Sequence, residues 1–306
     1  MKTLIFTLFL IQTSLVQALI TSKSIYGEDD RYEASNHPDQ HLLEQSRSVA
    51  AMVHANKLLL SDNPNIIDFK KTTLNEILEH GLCPGERYAD QYSLATCSGF
   101  LISPDTILTA GHCVENEKDC VRYKWIFDFD NHSNYFTQDN VYGCKQVIKQ
   151  SLYHSRRKIK DFSLVQLDRP VTGRTPLAFN RVDSLKPSST LAVIGHPSGL
   201  PLKIASNGKK QNWSEEEKKH FLTYIFKRFW FFRASLDSFA GNSGSPVINT
   251  KTHLVEGILI EGAPDYTLTF EFGEPCQKAM IYPAHTSEAE EVVFKFGQLQ
   301  YIKDNF

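Results

Sequence analysis

The most telling features of this 306-residue chain are at first things it lacks. There is no excess of either charge: 33 Lys and Arg stand against 35 Asp and Glu, which removes the electrostatic basis for nucleic acid or an anionic membrane as the main partner. After the N-terminus no apolar run reaches the length of a membrane span, so no stable membrane insertion is expected. No Cys-x-x-Cys pair and no His-Glu-x-x-His helix motif occurs, which removes the usual zinc patterns and leaves no metal or cofactor to expect. The Gly-x-Ser-x-Gly elbow of α/β-hydrolases is missing too, which argues against an esterase of that kind. Internal repeats and low-complexity tracts are absent.

What is present begins with Lys2, an apolar stretch from Leu4 through Leu10 to Leu15, and small residues ending at Ala18. A short positive region, an apolar core and a small-residue end read as a secretory leader over residues 1–18, and hence as a secreted mature chain. Six cysteines then remain, an even number that favours disulfides in an exported protein. Their connectivity does not follow from spacing.

From Cys97 onward, short apolar or alternating runs are separated by Asp, Asn, Gly and Pro, as at Phe100–Ile102, Ile107–Leu108, Tyr123–Phe129 and Phe162–Leu167. Such spacing predicts antiparallel strands in a sandwich or barrel. A polar link near residues 172–190 divides two such groups and suggests two β-subdomains with a cleft between them. Two segments depart from this. Ser214-Glu215-Glu216-Glu217 followed by Phe221, Leu222, Ile225 and Phe226 predicts an inserted helix over 213–228, either packed on its own domain or turned toward a membrane or partner. Ser287–Leu299, with Val292, Val293 and Phe296, predicts a C-terminal helix. Val49, Ala50, Met52 and Val53 fit a short helix or a strand equally well.

Three stretches could carry chemistry. Gly241-Asn242-Ser243-Gly244-Ser245-Pro246 sets a serine on a glycine-bounded turn, where backbone N–H groups of Gly241 and Ser243 could approach a substrate oxyanion; a surface loop fits the same residues. Thr109-Ala110-Gly111-His112-Cys113 runs a strand into two small residues and then a histidine, a suitable place for a general base or for a buried structural imidazole. Asp161 leads into the apolar Phe162–Leu167, where a carboxylate is costly to desolvate unless paired with, for instance, a histidine N–H; facing solvent at a strand end is the other option.

Together, in the order His, Asp, Ser, these motifs resemble the trypsin-like serine peptidases of the chymotrypsin fold, in particular the bacterial-type branch that includes glutamyl endopeptidases. The resemblance spans about residues 83–285 and implies a mainly β fold of two six-stranded antiparallel barrels, about 83–180 and 181–285, with the active site between them. Residues 19–82 would precede this body and 286–306 would form a helix after it. It implies His112 as general base and acid, Asp161 as its orienter, Ser243 as nucleophile and the N–H groups of Gly241 and Ser243 as the oxyanion hole. It further implies a Cys97–Cys113 bridge, and protein or peptide substrates cleaved without cofactor. Asp237, six residues before Ser243, would sit at the base of the primary pocket and favour Lys or Arg, although a role in a turn or hydrogen-bond network suits it as well. Ile260, Glu261 and Gly262 would form the substrate-pairing wall. No histidine stands near Leu259, which disfavours glutamyl specificity. Asn242 occupies the position where trypsin-like zymogens carry the aspartate that pairs with a new N-terminal amine, so that activation route is not expected. Ile25–Arg31 resembles the start of mature glutamyl endopeptidases, which fits cleavage near Lys23–Ser24. The competing reading is a secreted, inactive peptidase-fold binding protein.

Overall fold

The computed structural model describes residues 24–155, 158–182, 185–187, 189–213, 215–262, 264–283 and 291–306. The expected leader and the Lys23 side of the maturation site lie outside them, as does Ser214 of the expected capping box.

Six strands form the first barrel: β1 (Val49–His54), β2 (Cys97–Ser103), β3 (Thr106–Thr109), β4 (Tyr123–Ile126), β5 (Val141–Ser155) and β6 (Lys158–Leu167). They close in the order β6-β3-β2-β1-β4-β5, every pairing antiparallel. Six more form the second: β7 (Thr190–Gly195), β8 (Lys203–Gln211), β9 (Phe231–Ser235), β10 (Pro246–Asn249), β11 (Val255–Glu261) and β12 (Glu291–Lys295). Their order is β7-β10-β11-β12-β9-β8, and the β7–β8 pairing closes the ring; the strand Arg31–Glu33 adds to β8 from outside. Closure leaves no open sheet edge within either ring. Phe162 of the first barrel stacks on Phe294 of the second, with ring centroids 6.0 Å apart, within the shared core.

The barrels reach beyond the expected 83–285 at both ends. The ambiguous run at Val49 is strand β1, buried over five of its six residues. The expected helix over 287–299 is corrected: residues 291–295 are strand β12, paired to β9 and β11, and the C-terminal helix is Gln300–Asn305. The physical reason is that all five residues of β12 are buried, so the run carries no alternation, and β-branched Val292 and Val293 fit a pleated sheet covered on both faces. The inserted segment is helical as expected, in two pieces, Glu215–Lys219 and Phe221–Trp230. Among the described residues no helix is long and apolar enough to cross a membrane.

Three disulfides tie the chain: Cys97–Cys113, Cys120–Cys144 and Cys83–Cys276. The first closes 16 residues beside His112, a loop for which the chain-entropy account gives about 3 kcal/mol. The last anchors the hairpin Tyr266–Glu271/Glu274–Ala279 to the segment before β2. Three bridges suit an oxidising, extracellular compartment.

Candidate active site

Strand β3 ends at Thr109 and delivers Ala110-Gly111-His112-Cys113 into the cleft between the barrels. Asp161 lies on the adjacent β6 and is 3% exposed. Its carboxylate is fully engaged by one residue: Oδ1 accepts the His112 backbone N–H at 3.0 Å, and Oδ2 faces His112 Nδ1 at 2.9 Å. The pair holds both the backbone and the ring of the histidine, and a proton on Nδ1 leaves the Nε2 lone pair available as a base. Burial lowers the affinity of this imidazole for a proton. The Asp161 hydrogen bond and charge, with lesser help from Glu115 and Glu261, outweigh burial and hold the His112 pKa above the usual imidazole value.

The serine turn is built on two glycines in the left-handed region, Gly241 at φ 96° and Gly244 at φ 89°. Both also lie too close to other backbone for a side chain: a Cβ on Gly241 would come 2.4 Å from the His196 carbonyl oxygen, and one on Gly244 would come 2.1 Å from that of Ser98. Between them, half-buried Ser243 is held by its carbonyl oxygen, which accepts the Ser98 N–H at 2.8 Å and lies 3.7 Å from the Cys113 sulfur. The disulfide that follows His112 thus touches the peptide of Ser243. The N–H groups of Asn242, Gly244 and Ser245 are spent on Phe239, Leu259 and Asn242 carbonyls. Among the described residues those of Gly241 and Ser243 donate to nothing, and the Ser243 hydroxyl is likewise without a protein partner. Asn242 is buried, and its side-chain oxygen accepts from the Ser245 hydroxyl at 3.3 Å.

Beside Ser243 opens a pocket of about 280 Å³, walled by Ser238–Ala240 on one side and Leu259–Gly262 on the other, with Pro264 and Asp265. Ile260, Glu261 and Gly262 are among the residues that line it. Asp237 does not line it. Its Oδ1 accepts the Tyr26 N–H at 2.8 Å and its Oδ2 the Asp30 N–H at 2.9 Å, so this carboxyl clamps the N-terminal segment. Burial and the nearby Asp30 carboxylate push the Asp237 pKa up to about 8. The expectation of a pocket carboxylate at Asp237 is corrected for a physical reason: two backbone donors of a segment more than 200 residues earlier turn it away from the cavity.

The carboxyl residues that do line the pocket are Glu261 and Asp265, and Asp265 Oδ2 accepts the Ala240 N–H at 2.8 Å. Burial raises its pKa to about 7, against the lowering effects of that N–H, of Arg31 and of Ser24. Arg31 lies behind the same wall, 4.0 Å from the centre of the Phe239 ring, and its guanidinium is occupied by Asp29 at 2.7 and 2.8 Å. Sequence reasoning missed Asp265 because it belongs to the irregular connection after β11. A Pro-Asp pair in a loop carries no periodicity; only the closure of the second barrel sets it against Ala240. A second cleft of about 450 Å³ runs from His112 and Asp161 past Trp213, Phe231 and Val292, with Lys227 and Arg233 on its wall. Both cysteine-containing clusters near histidine or carboxylate consist of disulfide sulfurs, which are not thiolate ligands for a metal.

The trypsin family model matches residues 86–269, more than half of the chain. Among solved structures, the chain is similar to a Glu endopeptidase in complex with MPD, at 16% identity, covering 84% of this chain and 94% of that one, with a TM-score of 0.48. It is also similar to a scabies mite inactivated protease paralogue, at 16% identity, covering 85% of this chain and 94% of that one, with a TM-score of 0.51, which speaks to the fold. With two closed six-stranded barrels and a family match across both, the chain belongs to the trypsin family of chymotrypsin-fold peptidases.

Proposed function

We propose that the chain is a secreted serine endopeptidase that cleaves peptide bonds through an acyl-enzyme. The observation that carries this reading is the two-point hold of Asp161 on His112, set across the cleft from a serine turn with two uncommitted N–H groups. Ser243 Oγ attacks the substrate carbonyl carbon while His112 Nε2 takes its proton, and Asp161 stabilises the imidazolium that results. The carbonyl oxygen becomes an oxyanion and accepts hydrogen bonds from the N–H groups of Gly241 and Ser243. Collapse of this intermediate expels the amine, which receives the proton from His112; water then repeats the sequence and frees the acid.

The pocket supports a preference for Lys or Arg at the cleaved residue, through Asp265 and Glu261 rather than Asp237. These two carboxyls are the only charged groups among the described residues lining it, and a cationic side chain would draw Asp265 into its ionised form. The leader-like residues 1–18 and the three disulfides support secretion. A fluorophosphonate probe tests the core of the reading: the wild-type protein should be labelled and Ser243→Ala should not. Labelling of both refutes the nucleophile assignment. Silence of the correctly folded wild type would instead favour a peptidase-fold binding protein.

A further inference from the structure

The inserted helix Phe221–Trp230 brings a cation to the cleft beside His112. It packs on its own domain through Tyr224, which meets the edge of Trp213 at 6.2 Å, and through Trp230, which stacks on Phe294 at 6.1 Å. Phe221, Leu222, Ile225 and Phe226, whose spacing predicts the helix, stay between 37% and 72% exposed, so the face expected to pack is not the one that does. Lys227 falls midway between Tyr224 and Trp230, about one helical turn from each, and so shares the side held against the protein. Its side chain is half-buried and lines the cleft. Among the described residues nothing accepts a hydrogen bond from its ammonium.

Arg233 of β9 lines the same cleft, its guanidinium 5.3 Å from the centre of the Trp213 ring, which steadies it. Phe231 and Val292 are buried and give the cleft an apolar wall, where a charge pair is stronger than in water. Two carboxyls belong to the cleft as well. Both oxygens of Asp161 are spent on His112, and Glu261 also lines the pocket beside Ser243, where a cationic side chain would take it up. Among the described lining residues that leaves Lys227 and Arg233 to meet an anion. The direction of the chain follows from the walls. A substrate strand that pairs with Ile260–Gly262 and sets the cleaved residue in the pocket carries its preceding residues along the same edge. The cleft includes Ile260 and Glu261, whereas the hollow between His112 and Tyr123 includes neither. We infer that this cleft is a subsite for the carboxylate of an Asp or Glu side chain upstream of the cleaved residue, held by Lys227 with Arg233. The inference rests on the peptidase reading above and narrows its substrate class to an acidic residue followed by a cleaved Lys or Arg. A guanidinium matches the two oxygens of a carboxylate, and the lysine adds a mobile point charge.

The test is cleavage of a peptide library by the full secreted chain, with the products sequenced on both sides of each cut, so that the upstream preference is read whatever residue is cleaved. At one of the positions shortly before the cut, Glu and Asp should be enriched about tenfold over Gln and Asn, the scale of one charge-assisted contact, and high salt should shrink that enrichment. Lys227→Gln should bring the ratio close to one. Lys227→Glu should invert it in favour of Lys and Arg upstream, an outcome that loss of structure alone does not produce. Fluorophosphonate labelling reports that both variants keep a folded site. Equal cleavage after acidic and amide residues by the wild type, or an acidic preference that survives both substitutions, would overturn the proposal while the peptidase reading stands. No cleavage and no labelling of the wild type would overturn both.

Discussion

Acid should weaken this protein through His196, a residue that makes no chemistry. His196 is fully buried, stacked on Phe129 with ring centroids 5.8 Å apart, and its Nδ1–H donates to the Leu200 carbonyl at 2.9 Å. Its Nε2 has no partner among the described residues, and Lys203 stands near enough to oppose a second positive charge. Burial above all, with that lysine, pushes the pKa down to about 3. The unfolded chain protonates this imidazole below about 6.5. The sign follows: above that value the folded state loses nothing, and as the pH falls toward 3 the unfolded state alone gains a proton. Stability should drop by about 1.4 kcal/mol per pH unit in that window, or about 2.7 kcal/mol two units below the unfolded pKa. The assay is urea unfolding with disulfides intact, near pH 7 and near pH 4.5, for the wild type and His196→Asn, whose amide can still donate to Leu200. Comparing the variant with the wild type cancels the other titrating groups. The advantage of the wild type should shrink by about 2.7 kcal/mol on acidification; parallel curves would refute the reasoning. The loss should also reach the site, because the His196 N–H donates to Ser98 Oγ at 3.0 Å and that hydroxyl donates to the Gly241 carbonyl at 2.8 Å.

Asp161→Asn should lower kcat by about 10⁴ with little change in fold, since an amide cannot hold the His112 tautomer or stabilise its cation; circular dichroism and burst kinetics check both halves. Because His112 is held above its usual pKa, kcat/KM should fall with acidification through a midpoint above the ordinary imidazole value. Glu261→Gln removes one of the charges that raise it and should move that midpoint down, and an unmoved acid limb would count against the coupling. In a peptide library, Asp265→Asn should reduce preference for Lys or Arg at the cleaved residue by roughly tenfold or more, the scale of one lost charge-assisted contact. Asp237→Asn should leave the preference unaltered and instead lower thermal stability, since only one of its two backbone acceptors survives. The reverse pattern would return Asp237 to the pocket.

Much of the fold was legible because its signals are local. Alternating or buried short runs broken by Asp, Gly and Pro announce strands, and Gly241 and Gly244 announce a turn that only glycine can make. The misreading at 287–299 has the same origin: a strand buried on both faces loses the alternation that separates it from a helix. The candidate triad was readable because each member sits at the end of, or within, a recognisable apolar segment and the three come in a fixed order. Even there, Asp161 lies inside β6 rather than at its start.

By itself the sequence determined the strand-rich class and the need for glycine around Ser243. These depend on residue type, near neighbours and order along the chain. The tertiary structure alone decided which carboxyls line the pocket beside Ser243, which cysteines meet and which helical face stays in water. Each of those outcomes joins residues distant in sequence: Asp237 to Tyr26, Asp265 to Ala240, Cys83 to Cys276. An aspartate has the same intrinsic chemistry in a clamp as in a pocket, and only the backbone donors that reach it first decide between them.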